Sequence, residues 1–146
     1  MITTCGIYLY NTRTKKILIC HATHAPWSQW SIPKGLKEKN EKSLDVAKRE
    51  LAEETGLAFE NFQTAKLFSL PSVKYKKQNK MLESFLVIIN SDFENFQYKS
   101  NMTNRQGVYE VDSWKWVSLL EAKKMLHESQ LENIGQIRQL IREEAS

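Results

Sequence analysis

The chain is poor in the residues that staple or anchor proteins. Only two cysteines, Cys5 and Cys20, occur in 146 residues, both in apolar, strand-like runs. They form no CxxC pair and no histidine stands at ligand spacing from them, which speaks for buried free thiols in a reducing compartment rather than a zinc site or a disulfide framework. No run of 18 apolar residues and no N-terminal signal pattern appears, so we expect an untargeted, cytoplasmic protein with no membrane partner. Repeats and low-complexity linkers are missing too. At 41% hydrophobic content, the length suffices for one sizeable core but not for two ordinary domains, and residues 1–146 are expected to form a single domain. The formal charge is +4, from 21 basic against 17 acidic residues. That balance suits an anionic, phosphate-rich partner without by itself indicating nucleic acid.

What the chain does have is one dense stretch of charge, GLKEKNEKSLDVAKRELAEETGL, from Gly35 to Leu57. Leu44, Ala47 and Leu51 recur at helical spacing, so Ser43 to Thr55 is predicted as a helix, with Ser43 as its cap and Gly56 as its stop. At 100° per residue, Glu53 and Glu54 fall within about 60° of Glu50, so the carboxylates share one ridge beside the apolar face. Glu50 and Glu54 repel as an i, i+4 pair, and the ridge lies toward the helix C-terminus, where the macrodipole disfavours anions. Arg49 reaches Glu53 at i+4, but one guanidinium cannot neutralise three carboxylates. Hard divalent cations prefer such oxygen ligands, and magnesium or manganese fits best. A lone acidic helix face usually just meets water; the residues around this one argue otherwise.

Gly35, Glu41 and the run Arg49-Glu50-Leu51-Ala52-Glu53-Glu54-Thr55-Gly56-Leu57 resemble the full signature of the Nudix hydrolases, with every specified position filled. The resemblance implies a loop–helix–loop element that uses Mg2+ (or Mn2+) to cleave a pyrophosphate bond in a nucleoside diphosphate linked to another group, by attack of water on phosphorus. Carried over by position, Glu50, Glu53 and Glu54 become metal ligands and the Gly35 carbonyl completes the set. Arg49 orients the glutamates, Glu50 or a later glutamate serves as base, and Gly56 is structural. Glu41 is expected to support the loop. The resemblance also implies an α/β fold, an α/β/α sandwich around a mixed sheet, which agrees with the order of elements read below.

Thr3–Tyr10 and Lys16–His21 read as a hairpin, followed by an irregular loop through Gln29 containing Pro26 and Trp27. His21 and His24 fit no ligand spacing. In Trp30-Ser31-Ile32-Pro33-Lys34-Gly35 the proline stiffens the approach to Gly35, and the Lys34 ammonium stands where it can meet substrate phosphates. This run looks like the corresponding one in Nudix members that act on dinucleoside polyphosphates, which adds Trp30 as a substrate-binding residue. Phe62–Leu70 and Lys80–Ile89 are expected strands, the second with Glu83 pointing outward, joined by a loop bearing Lys74, Lys76 and Lys77. Residues Asp92 to Gly107 read as a long loop, functional or mobile. In Tyr109–Val117, Glu110 ahead of Trp116 resembles a second Nudix element that supplies a further ligand or the base. Ser118 and Glu121 form a capping box for a helix to about Leu126, and Leu131, Ile134, Leu140 and Ile141 mark an amphipathic final helix. Residues Glu110–Gln130 also resemble, more loosely, a group of NTP pyrophosphohydrolases. Dinucleoside polyphosphates and (d)NTPs are therefore the favoured substrates. An RNA 5′-pyrophosphohydrolase, or a non-catalytic nucleotide-sensing domain, is the alternative, and the sequence leaves the oligomeric state open.

Overall fold

The computed structural model describes all residues except 63, 64, 92, 94, 104–106 and 146. Its strands are β1 (Ile2–Asn11), β2 (Lys16–Ala22), β3 (Lys34–Leu36), β4 (Lys66–Ser69), β5 (Val73–Lys74), β6 (Lys80–Ile89) and β7 (Val111–Val117). The helices are α1 (Ser43–Thr55), α2 (Leu119–Met125) and α3 (Ile134–Ala145). Among the described residues the strands make one seven-stranded sheet in the order β4-β6-β1-β2-β7, with β3 on β1 and β5 on β6. The sheet is mixed: β1 and β6 run parallel over ten paired positions, and the other pairs are antiparallel.

Alternation along the central strands builds two cores. Cys5, Ile7 and Leu9 of β1 with Leu18 of β2 face Val46, Ala47 and Leu51 of α1, while Tyr8, Tyr10, Ile17 and Ile19 face Ala122 of α2 and Ile134 and Ile137 of α3. Successive side chains of a strand point to opposite faces, so a buried sheet must carry an apolar residue at nearly every position. The expected α/β/α sandwich is what results. Both cysteines are buried and free, as expected. No helix among the described residues is long and apolar enough to cross a membrane.

One irregularity positions the site. β1 and β2 pair only at their closed end, Tyr10 with Ile17 and Asn11 with Lys16, and then splay. Residues 31–36 enter the gap. Ser31 exchanges both backbone hydrogen bonds with Cys20 of β2, and the Pro33 carbonyl accepts from the Ile7 N–H of β1 at 3.1 Å. β3 then pairs Lys34 with Gly6 and Gly35 with Cys5. Gly6 is required by this approach: a Cβ there would lie 2.8 Å from both the Pro33 oxygen and the Lys34 Cβ.

Three local expectations change. Ser43 does not cap α1; the N-cap is Lys42, and no side chain closes the helix start. The Ser43 hydroxyl instead donates to Glu83 at 2.9 Å and accepts from Lys37. Glu83 therefore points at the start of α1 and not outward to solvent. The strand expected from Phe62 begins only at Lys66, because the Phe62 N–H is taken by Phe59 in a short 3-10 turn; residues 63 and 64 lie outside the described set. The lysine-bearing loop folds back on β6 through β5, leaving Lys74, Lys76 and Lys77 exposed at a hairpin end. The described part of the long loop packs through Phe93, Phe96 and Tyr98 onto the α1 core, with 92, 94 and 104–106 outside the described residues.

The wedge makes Gly6→Ala a sensitive probe. The Pro33 carbonyl and the Lys34 Cβ, neither the far end of a flexible side chain, block the new methyl, so the substitution should cost about 1–3 kcal/mol and lower the melting temperature by roughly 3–10 °C. A variant melting within a degree of wild type would show that the wedge yields freely.

Candidate active site

Glu50, Glu53 and Glu54 occupy the last two turns of α1, whose Val46, Ala47, Leu51 and Thr55 are buried against the sheet. The helix ends at Gly56 in the left-handed conformation, φ 83°, as the sequence predicts. Its last carbonyls are satisfied from outside the helix. The Lys99 N–H donates to Thr55, the Asn101 N–H to Glu53 at 2.6 Å, the Asn101 side-chain amide to Ala52, and the Trp114 indole N–H to Glu54 at 2.6 Å. A strap of residues 98–101 and strand β7 thus clamp the end of the helix that carries the glutamates.

The wedge brings Lys34 and Gly35 to the same ridge. A Cβ on Gly35 would fall inside the Glu50 carboxyl group, so only glycine allows β3 and α1 to approach so closely. The Lys34 backbone N–H donates to Glu54 Oε1 at 3.3 Å, and the buried Cys20 thiol donates to the same oxygen at 3.5 Å. Burial, reinforced by the Glu53 charge, pushes the Glu50 carboxyl up to about 7. Burial and the Glu50 charge push Glu54 up to about 8, against the Lys34 N–H and ammonium. Glu110 stands close enough for its charge to raise Glu50 further, at an exposed position whose N–H is held by the Met102 carbonyl. Among the described residues no three His, Cys, Asp or Glu side chains stand at ligand distance as placed. The donors nonetheless fit a hard divalent cation: all are oxygen, and Glu50 and Glu54 are withdrawn from water.

Arg49 divides its attention. Its closest partner is Glu41, and Glu50 and Glu53 each lie 3.8 Å away. The bond to Arg49, with the Glu38 backbone N–H, holds the Glu41 carboxyl below its usual pKa. Trp30 is 5% exposed; its indole donates to the Trp27 carbonyl at 3.0 Å, and it only edges a small cavity that Lys34 also lines. His21 is structural: Nδ1 meets Asp112 at 2.8 Å and Nε2 the Pro26 carbonyl at 3.1 Å, fastening the loop after β2 to β7. Sequence reasoning missed Cys20, Trp114 and Asn101. Of the two late tryptophans it singled out Trp116, whose indole donates to Tyr98, whereas Trp114 reaches the glutamate helix. Strand alternation puts both on one face, so only the register of β7 on β2 could separate them.

A carboxylate helix laid against a mixed sheet, approached by a lysine and closed by a glycine loop, suits hard-cation and phosphate chemistry. The NUDIX domain matches residues 2–137, so the chain belongs to the NUDIX domain family and is a Nudix hydrolase. It is 30% identical over 132 residues to the RNA pyrophosphohydrolase of Bartonella henselae, covering 78% of this chain and 74% of that protein. The mRNA-decapping protein g5R of African swine fever virus is 29% identical over 110 residues, 74% of this chain but 44% of its own length. A C. elegans Ap4A hydrolase shares the fold, with a TM-score of 0.71 over 97% of this chain and 98% of that one at 19% identity. Nudix hydrolases are generally dependent on divalent metal.

The raised carboxyls give a signed prediction. A group whose pKa is higher folded than unfolded binds more protons in the folded state, so stability falls as pH rises from the ordinary value of 4.5 through about 7 and 8. Without divalent cations, the melting temperature should drop by roughly 5 °C or more between about pH 5 and pH 8.5. The drop should be smaller in Glu54→Gln. A flat wild-type profile in chelator would contradict the placement of these carboxyls.

Proposed function

We propose that residues 1–146 act as one cytoplasmic domain hydrolysing a phosphoanhydride bond in a nucleoside diphosphate linked to another group, with dinucleoside polyphosphates and (d)NTPs as the favoured substrates. The observation that carries this reading is the pair Glu50 and Glu54, buried side by side against Lys34 and Gly35 with too little positive charge to match them. Glu50, Glu53 and Glu54, with the Gly35 carbonyl, would hold Mg2+ or Mn2+. Once bound, the metal supplies charge neutralisation on the phosphate oxygens and a more acidic water. Lys34 contributes a point charge that draws the phosphate chain over the ridge. Arg49, fixed by Glu41, keeps the Glu50 and Glu53 carboxylates turned toward one side. Glu110, at the exposed rim, accepts the proton from the attacking water. Trp30 supports the cleft wall from below.

A second reading, hydrolysis at an RNA 5′ end, is favoured by the names of the two curated relatives. Release of phosphate or pyrophosphate in millimolar magnesium, from diadenosine tetraphosphate, the (d)NTPs and 5′-triphosphorylated RNA, separates the two. A panel with no turnover, together with a melting temperature indifferent to magnesium, would sink both.

On the substrate the panel identifies, Glu54→Gln should lose roughly a hundredfold or more in kcat/KM while staying folded. Glu110→Gln should lower kcat by about two orders of magnitude with nucleotide binding little changed. Glu41→Gln should matter less than either. Equal losses in all three would contradict the division between ligand, base and loop support.

A further inference from the structure

Two cavities of different size and chemistry border the segments that hold the carboxylate ridge, one at Lys34 and one at the strap and β7. The one edged by Lys34, Lys80 and His127 has a volume of about 210 Å³, below the roughly 300 Å³ at which ligand pockets begin, and two lysines give it positive charge. The other, about 600 Å³, lies between β7 and the strap of residues 98–101. Tyr98 and Trp114 form its wall, their rings stacked with centroids 6.2 Å apart. Its lip is Val108 and Tyr109, 39% and 59% exposed, an apolar rim that folding alone does not require. Two features join this cavity to the ridge. Tyr109 immediately precedes Glu110, and the wall and strap donate through Trp114 and Asn101 to the Glu54 and Glu53 carbonyls.

We propose that this larger cavity seats the nucleoside end of the substrate, its base against Tyr109 and the Tyr98–Trp114 wall, so that the phosphate chain leads onto Glu53, Glu54 and Glu110. The inference rests on the phosphoanhydride reading above and names where that substrate's base lies. Aromatic faces accept any base, because every base has a π-face. The cavity therefore grips nucleosides with little discrimination among bases.

The test uses the full chain, with AMP and GMP as probes in chelator, so that binding is read without turnover. Wild type should bind both by calorimetry. Tyr109→Ala should weaken them about tenfold or more, the loss expected when one stacking partner is removed, and Tyr109→Phe should bind as wild type. On a hydrolysed nucleotide, Tyr109→Ala should raise KM by a similar factor with kcat changed less than about threefold. Tyr109 is exposed, so the variant should fold, and circular dichroism checks this. No binding by wild type, equal binding by Tyr109→Ala, or a fall in kcat with KM unchanged would each overturn the proposal. If AMP binds through Tyr109 but no nucleotide is hydrolysed in magnesium, the cavity stands and the hydrolase reading falls. Turnover with a KM indifferent to Tyr109→Ala gives the reverse.

Discussion

Two carboxyl groups pressed between a helix and the splayed middle of a sheet set the terms for the rest of the structure. A shift that carries Glu54 from 4.5 to about 8 corresponds to on the order of 4–5 kcal/mol against its charged form, a large share of what a domain of this size has to spare. A protein with no use for charge there would be more stable with leucine. The surrounding contacts read as means of keeping the carboxyls in place despite that cost. Cys20 and the Lys34 N–H hold Glu54 Oε1, and Gly35 leaves room for Glu50.

The splay between β1 and β2 supplies this geometry. Had the two strands paired along their whole length, residues 31–36 would have no backbone partners and Lys34 could not lie beside α1. Instead the wedge satisfies its hydrogen bonds on both sides, with Cys20 on one and Thr3 to Ile7 on the other. Its position is therefore fixed to the register of the central strands. At the other end of the ridge, the strap and Trp114 occupy carbonyls that a free helix would offer to water. The glutamates are held at both ends of the ridge by backbone and side-chain donors from other segments, and not by one another.

Much of this was legible in the sequence because it is local. The bounds of α1, the left-handed Gly56, the β1–β2 hairpin, the extent of β6 and the Ser118–Glu121 capping box all follow from spacing and turn chemistry within a few residues. The two-sided sandwich followed from the order of elements and the family resemblance. What the sequence did not show depends on contacts between distant segments. Ser43 has the chemistry of a helix cap, but Glu83, forty residues on, takes its hydroxyl. Residues 98–101 carry no periodicity because their role is to cap a helix end some fifty residues earlier. The thiol of Cys20 reaches Glu54 only because β2 and α1 share a face of the sheet.

The division of Arg49 among its neighbours explains why the ridge is left short of positive charge. Glu41 is its closest partner, and its distances to Glu50 and Glu53 are longer and equal. Arg49 and Glu41 therefore cancel each other formally, and once fully ionised, as a bound cation requires, Glu50, Glu53 and Glu54 carry three negative charges, with Lys34 the one lysine acting on Glu50 and Glu54 among the described residues. The remainder of two is what a single divalent cation carries, before Glu110 and the substrate phosphates are counted. Moving the guanidinium onto the ridge would relieve the repulsion, but it would fill the oxygen ligands with a donor that has no chemistry to offer phosphate hydrolysis. By drawing Arg49 toward the loop, Glu41 keeps those oxygens available, so a residue outside the proposed ligand set helps set the charge of the site.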